Sequence, residues 1–329
     1  MNLSEYISDQ EIRLDQFLTT KLNQSRNQIE QLIKKGFISI DNKTITKTGK
    51  KLKPNQKIIV TLPQIKSTQS KKVDFDIEII YEDNDILVIN KPSGVIIHDA
   101  PSVKEATLVD WLKQHNISLS TISGEERHGI VHRLDKGTSG LLVIAKNNQS
   151  HQKLSAQLEN KTMGRYYIAV VDIPLKDEII VESYIKRDPN HRLKMANLSQ
   201  GKYAKTAFIK LISNKHQEQN QPKYEIISAK LFTGRTHQIR VHLNKLNRHI
   251  LGDTLYGFKS NNSSIKRIYL HAFCLYLVHP TTSKLMEFVA PIPQDMQELL
   301  NNNFNQDELN EKLTKDYITT RFDTFINRV

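Results

Sequence analysis

The stretch GIVHRLDKGTSGLLVIAK, residues 129–146, decides how the chain is read. Its second half, Leu141 to Ala145, is an unbroken apolar run with the length and composition of a buried strand. Before it comes a polar turn carrying Gly129, Gly137 and Gly140, with one carboxylate, Asp135, set between Arg133 and Lys136. Turn chemistry accounts for the glycines. The carboxylate is open to three readings: a surface ion pair worth a fraction of a kcal/mol, a helix or turn cap, or a catalytic group. A catalytic carboxylate needs a cation to hold it ionised and oriented. TGRTHQIR, residues 233–240, offers Arg235 from a second glycine-bearing loop.

Outward from this stretch, strand candidates succeed one another with few helices between them. IEIIY (77–81) and ILVIN (86–90) bracket the polar EDND and predict an antiparallel pair. RYYIAVV (165–171), YAKTAFIKLI (203–212), YEIISAKLF (224–232) and RIYLHAFCLYLV (267–278) supply more, and SHQKLSAQLENK (150–161) reads as a helix. SNKHQEQNQP (213–222) is a hydrophilic hairpin loop. This order predicts α+β architecture over residues 75–302. Residues 303–329 read as a polar, partly helical tail.

The first 66 residues read as a separate small module with its core at 12–62. Leu14, Phe17, Leu18 and Leu22 fall on one helical face. Ser25 is placed to cap a second helix, with Gln28 in capping-box position, and Gly36 to stop it. A hairpin around Asp41-Asn42 and the closing strand KIIVTL follow. Arg26, Lys34, Lys35 and several further lysines surround these elements. Residues 63–74 read as a linker, confined at its narrowest to 67–74.

Of 329 residues, 38% are hydrophobic and 25% charged, with a formal net charge of +12. The excess suggests a polyanionic partner, because Lys and Arg on phosphates release counterions. The single cysteine, Cys274, excludes an intramolecular disulfide and a Cys-based zinc site, and its apolar neighbours predict burial. No apolar stretch has the length of a membrane span, and the N-terminus lacks a signal-peptide pattern. Together these place the chain in the cytoplasm. Neither a dinucleotide nor a P-loop fingerprint is present, so no nucleotide cofactor is expected.

Seven of the twelve glycines lie in or beside KPSG (91–94), the opening stretch, TGRTHQIRVH (233–242) and LGDTLYG (251–257), as expected of loops shaped around a ligand. His132, His237, His242 and His271 show no metal-binding spacing. On a strand, His237 and His242, five apart, would face opposite ways. Ser93 and Ser139 lack the setting of a hydrolase nucleophile. Of Tyr166 and Tyr167, alternation sends one to the core and leaves the other for a cleft, and it does not say which.

YEDNDILVINKPSG, HRLDKGTSGLLVIAK, TGRTHQIRVH and LGDTLYG, in this order along the chain, resemble the RluA-type pseudouridine synthases. RLDQFL…SRNQIEQLIKKGFISIDNK…KLKPNQKIIV resembles their S4 RNA-binding module, so the likeness runs from about Arg13 to about Leu300. IKRDPNHRLKMAN and APIPQDMQEL look most like the RluD subgroup. The resemblance implies an S4 module joined to a mixed or antiparallel-sheet domain with a central cleft. It implies an isomerase that turns uridine into pseudouridine in large-subunit ribosomal RNA, at the stem-loop called helix 69, without metal or cofactor. Asp135 matches the catalytic aspartate, Arg235 the basic residue that pairs with it, and Tyr167 the tyrosine that stacks on uracil. Arg133 matches the residue that fills the gap left by the flipped base. His132, Thr138 and His237 join it as substrate-binding candidates, with Arg26, Lys34 and Lys35 on the S4 side. The expected partner is large-subunit rRNA, on its own or in the assembling 50S subunit, with no membrane involved and the enzyme a monomer. Three positions depart from the common pattern: Asp99, Gly137, and Arg165 in place of a frequent lysine. The rival readings are the same chemistry on another rRNA or a tRNA, and a non-catalytic RNA-binding or ribosome-assembly protein.

Overall fold

The computed structural model describes residues 2–22, 26–62, 71–99, 103–115, 117, 119–120, 129–214, 223–259 and 265–328. The expected Ser25 cap, most of the linker and the tip of the 213–222 loop lie outside the described residues.

The N-terminal module contains β1 (Asn2–Ile7), β2 (Ile12–Arg13), α1 (Leu14–Leu22), α2 (Arg26–Lys34), β3 (Ile38–Ile40), β4 (Lys43–Thr44), β5 (Lys51–Leu52) and β6 (Lys57–Leu62). Leu14, Phe17 and Leu18 of α1 pack with Ile29 and Ile33 of α2 onto Ile38, Ile40, Ile58 and Val60. Gly36, at φ 76°, ends α2. Its N–H reaches the Ile33 carbonyl and the Phe37 N–H reaches that of Leu32, the double bond of a Schellman stop. Asp41 and Asn42 both have positive φ, as a two-residue hairpin turn requires. Strand β1, which lies N-terminal to the expected core, pairs antiparallel with β6.

The larger unit adds β7 (Glu78–Glu82), β8 (Ile86–Lys91), α3 (Leu108–Gln114), β9 (Ser139–Ala145), α4 (Asn148–Glu159), β10 (Gly164–Val171), β11 (Ile179–Arg187), β12 (Met195–Leu198), β13 (Lys202–Ser213) and β14 (Glu225–Leu231). It closes with α5 (Gln238–Lys245), β15 (Leu270–Val278), β16 (Leu285–Val289), α6 (Gln294–Asn303), α7 (Gln306–Lys312) and α8 (Lys315–Ile326). The strands form one sheet ordered β12-β11-β13-β14-β10-β15-β9-β8-β7, with β16 beside β15. All its strand pairs are antiparallel except β15 with β9. At that parallel contact, Gly140 has φ 110° and a side chain there would meet the Ala272 backbone at 2.3 Å. Only glycine lets the two strands approach.

Both faces of the sheet centre are covered, which explains the unbroken apolar runs. Leu87, Ile89, Leu142 and Ile144 face the main core with Trp111 of α3. Their neighbours Ile86, Val88, Leu141 and Val143 face a second core with Leu154 of α4. The C-terminal residues belong to the main core as well. Phe304, Leu309, Ile318, Phe322 and Phe325 are buried in it, and Phe322 meets Tyr166 at 5.3 Å between ring centres. The polar, partly helical tail expected from residue 303 contains two helices, α7 and α8, whose apolar residues pack into the main core.

Candidate active site

Asp135 stands in the turn that leads into β9, and the KPSG loop (91–94) holds that turn. The Thr138 N–H closes it on the Asp135 carbonyl at 3.0 Å. From KPSG, the Gly94 N–H donates to the Lys136 carbonyl and the Ser93 hydroxyl to that of Gly137. Lys91 is fully buried, and its ammonium donates to the carbonyls of Pro92, Val95 and Lys136. Burial brings its pKa down to about 7, against the opposing pull of Asp135. KPSG therefore serves as the brace of the Asp135 turn.

The cation on Asp135 is Arg240, whose Nη1 lies 3.2 Å from Oδ2. Arg240 also binds Asp253 at two points, Nε to Oδ2 at 2.7 Å and Nη2 to Oδ1 at 2.8 Å. Its guanidinium lies over the Tyr256 ring. Burial alone would lower the Arg240 pKa, but Asp253 and Asp135 together raise it. LGDTLYG thus supplies Asp253 and Tyr256, which fix the arginine that faces the carboxylate.

Arg235 is not that partner. It is exposed, and its Nε donates to the Tyr203 carbonyl at 2.8 Å. The segment after Arg235 is a helix, and the motif's second arginine, Arg240, is the one it places at the carboxylate. Gln238 folds back to accept from the Thr233 hydroxyl and the Arg235 N–H, and α5 then carries Arg240 inward. The helix also corrects the histidine geometry. His237 sits in the left-handed region at its N-terminus, and His242 is buried within it between Ser183 and Thr206.

Asp135, Tyr167 and Arg240 line one cavity of about 720 Å³, together with His132, Arg133, Thr138, Arg165, Arg235 and His237. Tyr167 is the cleft tyrosine and Tyr166 the one under α8. Burial raises the Tyr167 pKa, with Arg165 opposing and Asp135 assisting. His237 stands 3.9 Å from Asp135 and meets the Tyr256 hydroxyl at 2.9 Å; burial lowers its pKa. His132 accepts from the Val143 N–H through Nε2, and burial sets its pKa well below the usual value. Arg133 is exposed at the rim.

On the N-terminal module, Arg26 and Lys34 are already engaged. Arg26 pairs with the buried Asp15, which Arg13 also holds, and Lys34 lies 3.9 Å from Glu30. Lys35 is exposed. Among the described residues, one group has metal-ligand proximity: Asp83, Asp85 and His279. His279 accepts from two backbone N–H groups at Nδ1 and faces Asp83 at 2.8 Å through Nε2. Asp83 caps its own turn and accepts from Tyr81. These residues do not line the cavity, and their bonds make them a tie between two hairpins.

A braced carboxylate facing a buried arginine in a tyrosine-lined cavity is the arrangement of an enzyme site, and the chain adds a basic module to it. The RNA pseudouridylate synthase family profile matches residues 85–245 and the S4 domain profile residues 12–58. An uncharacterized RNA pseudouridine synthase of Helicobacter pylori strain J99 is 47% identical over 94% of this chain and 95% of its own. The Bacillus subtilis RNA pseudouridine synthase YlyB, also uncharacterized, is 39% identical over 88% and 93%. The ribosomal large subunit pseudouridine synthase D of Zymomonas mobilis is 35% identical over 87% and 92%. In fold, human RNA pseudouridylate synthase domain containing 1 matches with a TM-score of 0.55, at 24% identity, over 72% of this chain and 94% of that one. The chain belongs to the RNA pseudouridine synthase family and is an enzyme of that activity. No helix among the described residues is long and apolar enough to cross a membrane.

Proposed function

We propose that the enzyme isomerises uridine in large-subunit ribosomal RNA, at the helix 69 stem-loop, with Asp135 as its catalytic carboxylate. The observation that carries the assignment of Asp135 is its ion pair with Arg240 at the cavity wall. A relative named as acting on the ribosomal large subunit, alike over most of both chains, supports the substrate class.

In this reading the target base leaves its stack and enters the cavity, the costs of unstacking being met by contacts there. The C1′–N1 bond breaks, the uracil turns, and C1′ bonds to C5. C5 gives up its proton and N1 gains one, so product and substrate are isomers. Asp135 either attacks C1′ or removes the C2′ proton; an oriented carboxylate serves both routes. Tyr167 lies against the base and Arg133 fills the space it vacated. Arg240 takes the pairing role assigned from sequence to Arg235, and Arg235 serves as an RNA contact on the rim. His132, Thr138 and His237 shape the pocket walls. The basic N-terminal module adds grip on the phosphate backbone. The enzyme works without metal or cofactor, as a cytoplasmic monomer.

The test is pseudouridine mapping of large-subunit rRNA from cells with and without the gene, complemented by wild type or Asp135→Asn. Loss of helix 69 pseudouridines, restored by wild type alone, is expected. Loss at other sites would move the target and leave the chemistry standing.

A further inference from the structure

Two arginines with less than a tenth of their surface exposed line the cavity, and only one is neutralised. Arg240 has Asp253 and Asp135. Arg165 has neither a hydrogen bond nor an ion pair among the described residues, and its Nε is buried without a partner. It is 7% exposed. A guanidinium does not deprotonate in a protein, and a buried charge left alone is among the costliest features a fold can keep. A buried polar group left without a protein partner at a cavity wall is met by water or by a ligand.

The surroundings keep that position open. Arg165 and Tyr167 are two apart on β10, so both point to the cavity face. On the far side, a side chain at Gly234 would approach Nη2 to 3.2 Å and Nη1 to 3.4 Å. Gly234 has no positive φ to explain it; what its lack of a side chain provides is room at the end of the guanidinium. Gly234 is itself exposed, so this end of Arg165 lies where the cavity meets solvent.

We propose that Arg165 is a substrate-binding residue that takes a phosphate flanking the flipped uridine. RNA brings one anion per nucleotide, and an extruded nucleotide must carry its adjoining phosphates to the cavity mouth. A guanidinium offers two parallel N–H groups to phosphate oxygens, which a lysine at this position does not. The contact would fix where C1′ lies relative to Asp135. The inference rests on the enzyme acting on RNA and is independent of which RNA.

The experiment uses an oligoribonucleotide spanning whichever uridine the mapping identifies, so a wrong target assignment does not touch it. A neutral methylphosphonate replaces one linkage at a time, and the full-length wild type, Arg165→Met and Arg165→Lys are compared. One flanking linkage should lower wild-type kcat/KM by roughly 10- to 100-fold, the range of a hydrogen bond to a charged group. Arg165→Met should show a similar loss on unmodified RNA and no added loss from that methylphosphonate, the coupling expected of partners in contact. Arg165→Lys keeps the charge and should retain part of the linkage-specific effect. The proposal is overturned if Arg165→Met matches wild type on unmodified RNA. It is equally overturned if every variant, folded by thermal melting, suffers the same methylphosphonate penalty, since Arg165 would then be contacting something else.

Discussion

Arg240 binds Asp253 through two nitrogens, at 2.7 and 2.8 Å, and this leaves Nη1 to meet Asp135 at 3.2 Å. The second carboxylate is what aims the first arginine. Asp253 is almost fully buried and is itself held by the Tyr256 N–H. It acts through Arg240 and is a positioning residue.

Asp253→Asn should therefore lower kcat by about 100-fold, the scale of a misplaced catalytic group, while leaving KM for RNA nearly unchanged. Asp135→Asn should abolish turnover with RNA binding retained. Arg235→Met should raise KM and spare kcat, because Arg235 is exposed and bound to a backbone carbonyl. A kcat loss for Arg235→Met as large as that for Arg240→Met would sink this division of roles.

On the N-terminal module, charge removal should separate structure from RNA grip. Lys35→Gln removes an exposed cation and should weaken binding while reducing the salt slope by about one. Arg26→Gln removes one of the two arginines on the buried Asp15, and should also cost stability, by about 1 kcal/mol, because Arg26 is exposed and Arg13 still holds the carboxylate. Urea unfolding alongside filter binding over a salt series reads both. Equal stability of the two variants would contradict the structural part assigned to Arg26.

The strands of the catalytic sheet were legible because burial on both faces writes itself as apolar runs, as in Leu141–Ala145. The hairpin at Asp41-Asn42 was legible because few residues accept two positive φ values. The α5 segment is assigned no element from the sequence, although Ile239, Leu243 and Leu246 stand at helical spacing and Arg235 and Arg240 both lie in the same motif. What hid the true pair was its third member: Asp253 is distant in sequence, and no local signal ties it to Arg240. Lys91 was hidden for the same reason, since a lysine in a turn motif gives no sign that it will be fully buried. In the C-terminal helices Ile318, Phe322 and Phe325 also stand at helical spacing, but they are few among polar neighbours, and the local pattern does not say that this face, with Leu309, is buried in the main core.

That packing makes the C-terminus part of the catalytic fold. Phe322→Ala should destabilise the enzyme by about 3–5 kcal/mol, the usual range for a buried aromatic. Phe322 is fully buried against Tyr166, the strand neighbour of Tyr167. Truncation after Asn303 should therefore cost folding and activity together. A truncated chain that melts at the wild-type temperature would return these helices to the status of an appendage.

Acid should weaken the fold as soon as the pH falls through the ordinary histidine range. Burial brings the pKa of His242 and of His271 down to about 4, and that of His132 well below its usual value. The unfolded chain takes up protons at these residues once the pH falls below about 6.5, the ordinary histidine value, whereas the native state resists. The unfolded state thus binds more protons, and stability falls as the pH falls. The loss begins near pH 6.5 and, for His242 and His271, levels off only near 4, amounting to roughly 3 kcal/mol for each. Below that, Asp15, whose pKa the Arg13 hydrogen bond lowers, adds a further loss as it protonates. Urea unfolding at steps from pH 7 to 4 should show this slope. His242→Gln, which removes one of the titrating rings, should make it shallower. A stability that stays level between pH 6.5 and 5 in the wild type would mean that these rings accept protons in place, and that the neutral hydrogen bonds of His242 to Ser183 and Thr206 are not what holds α5 against the sheet.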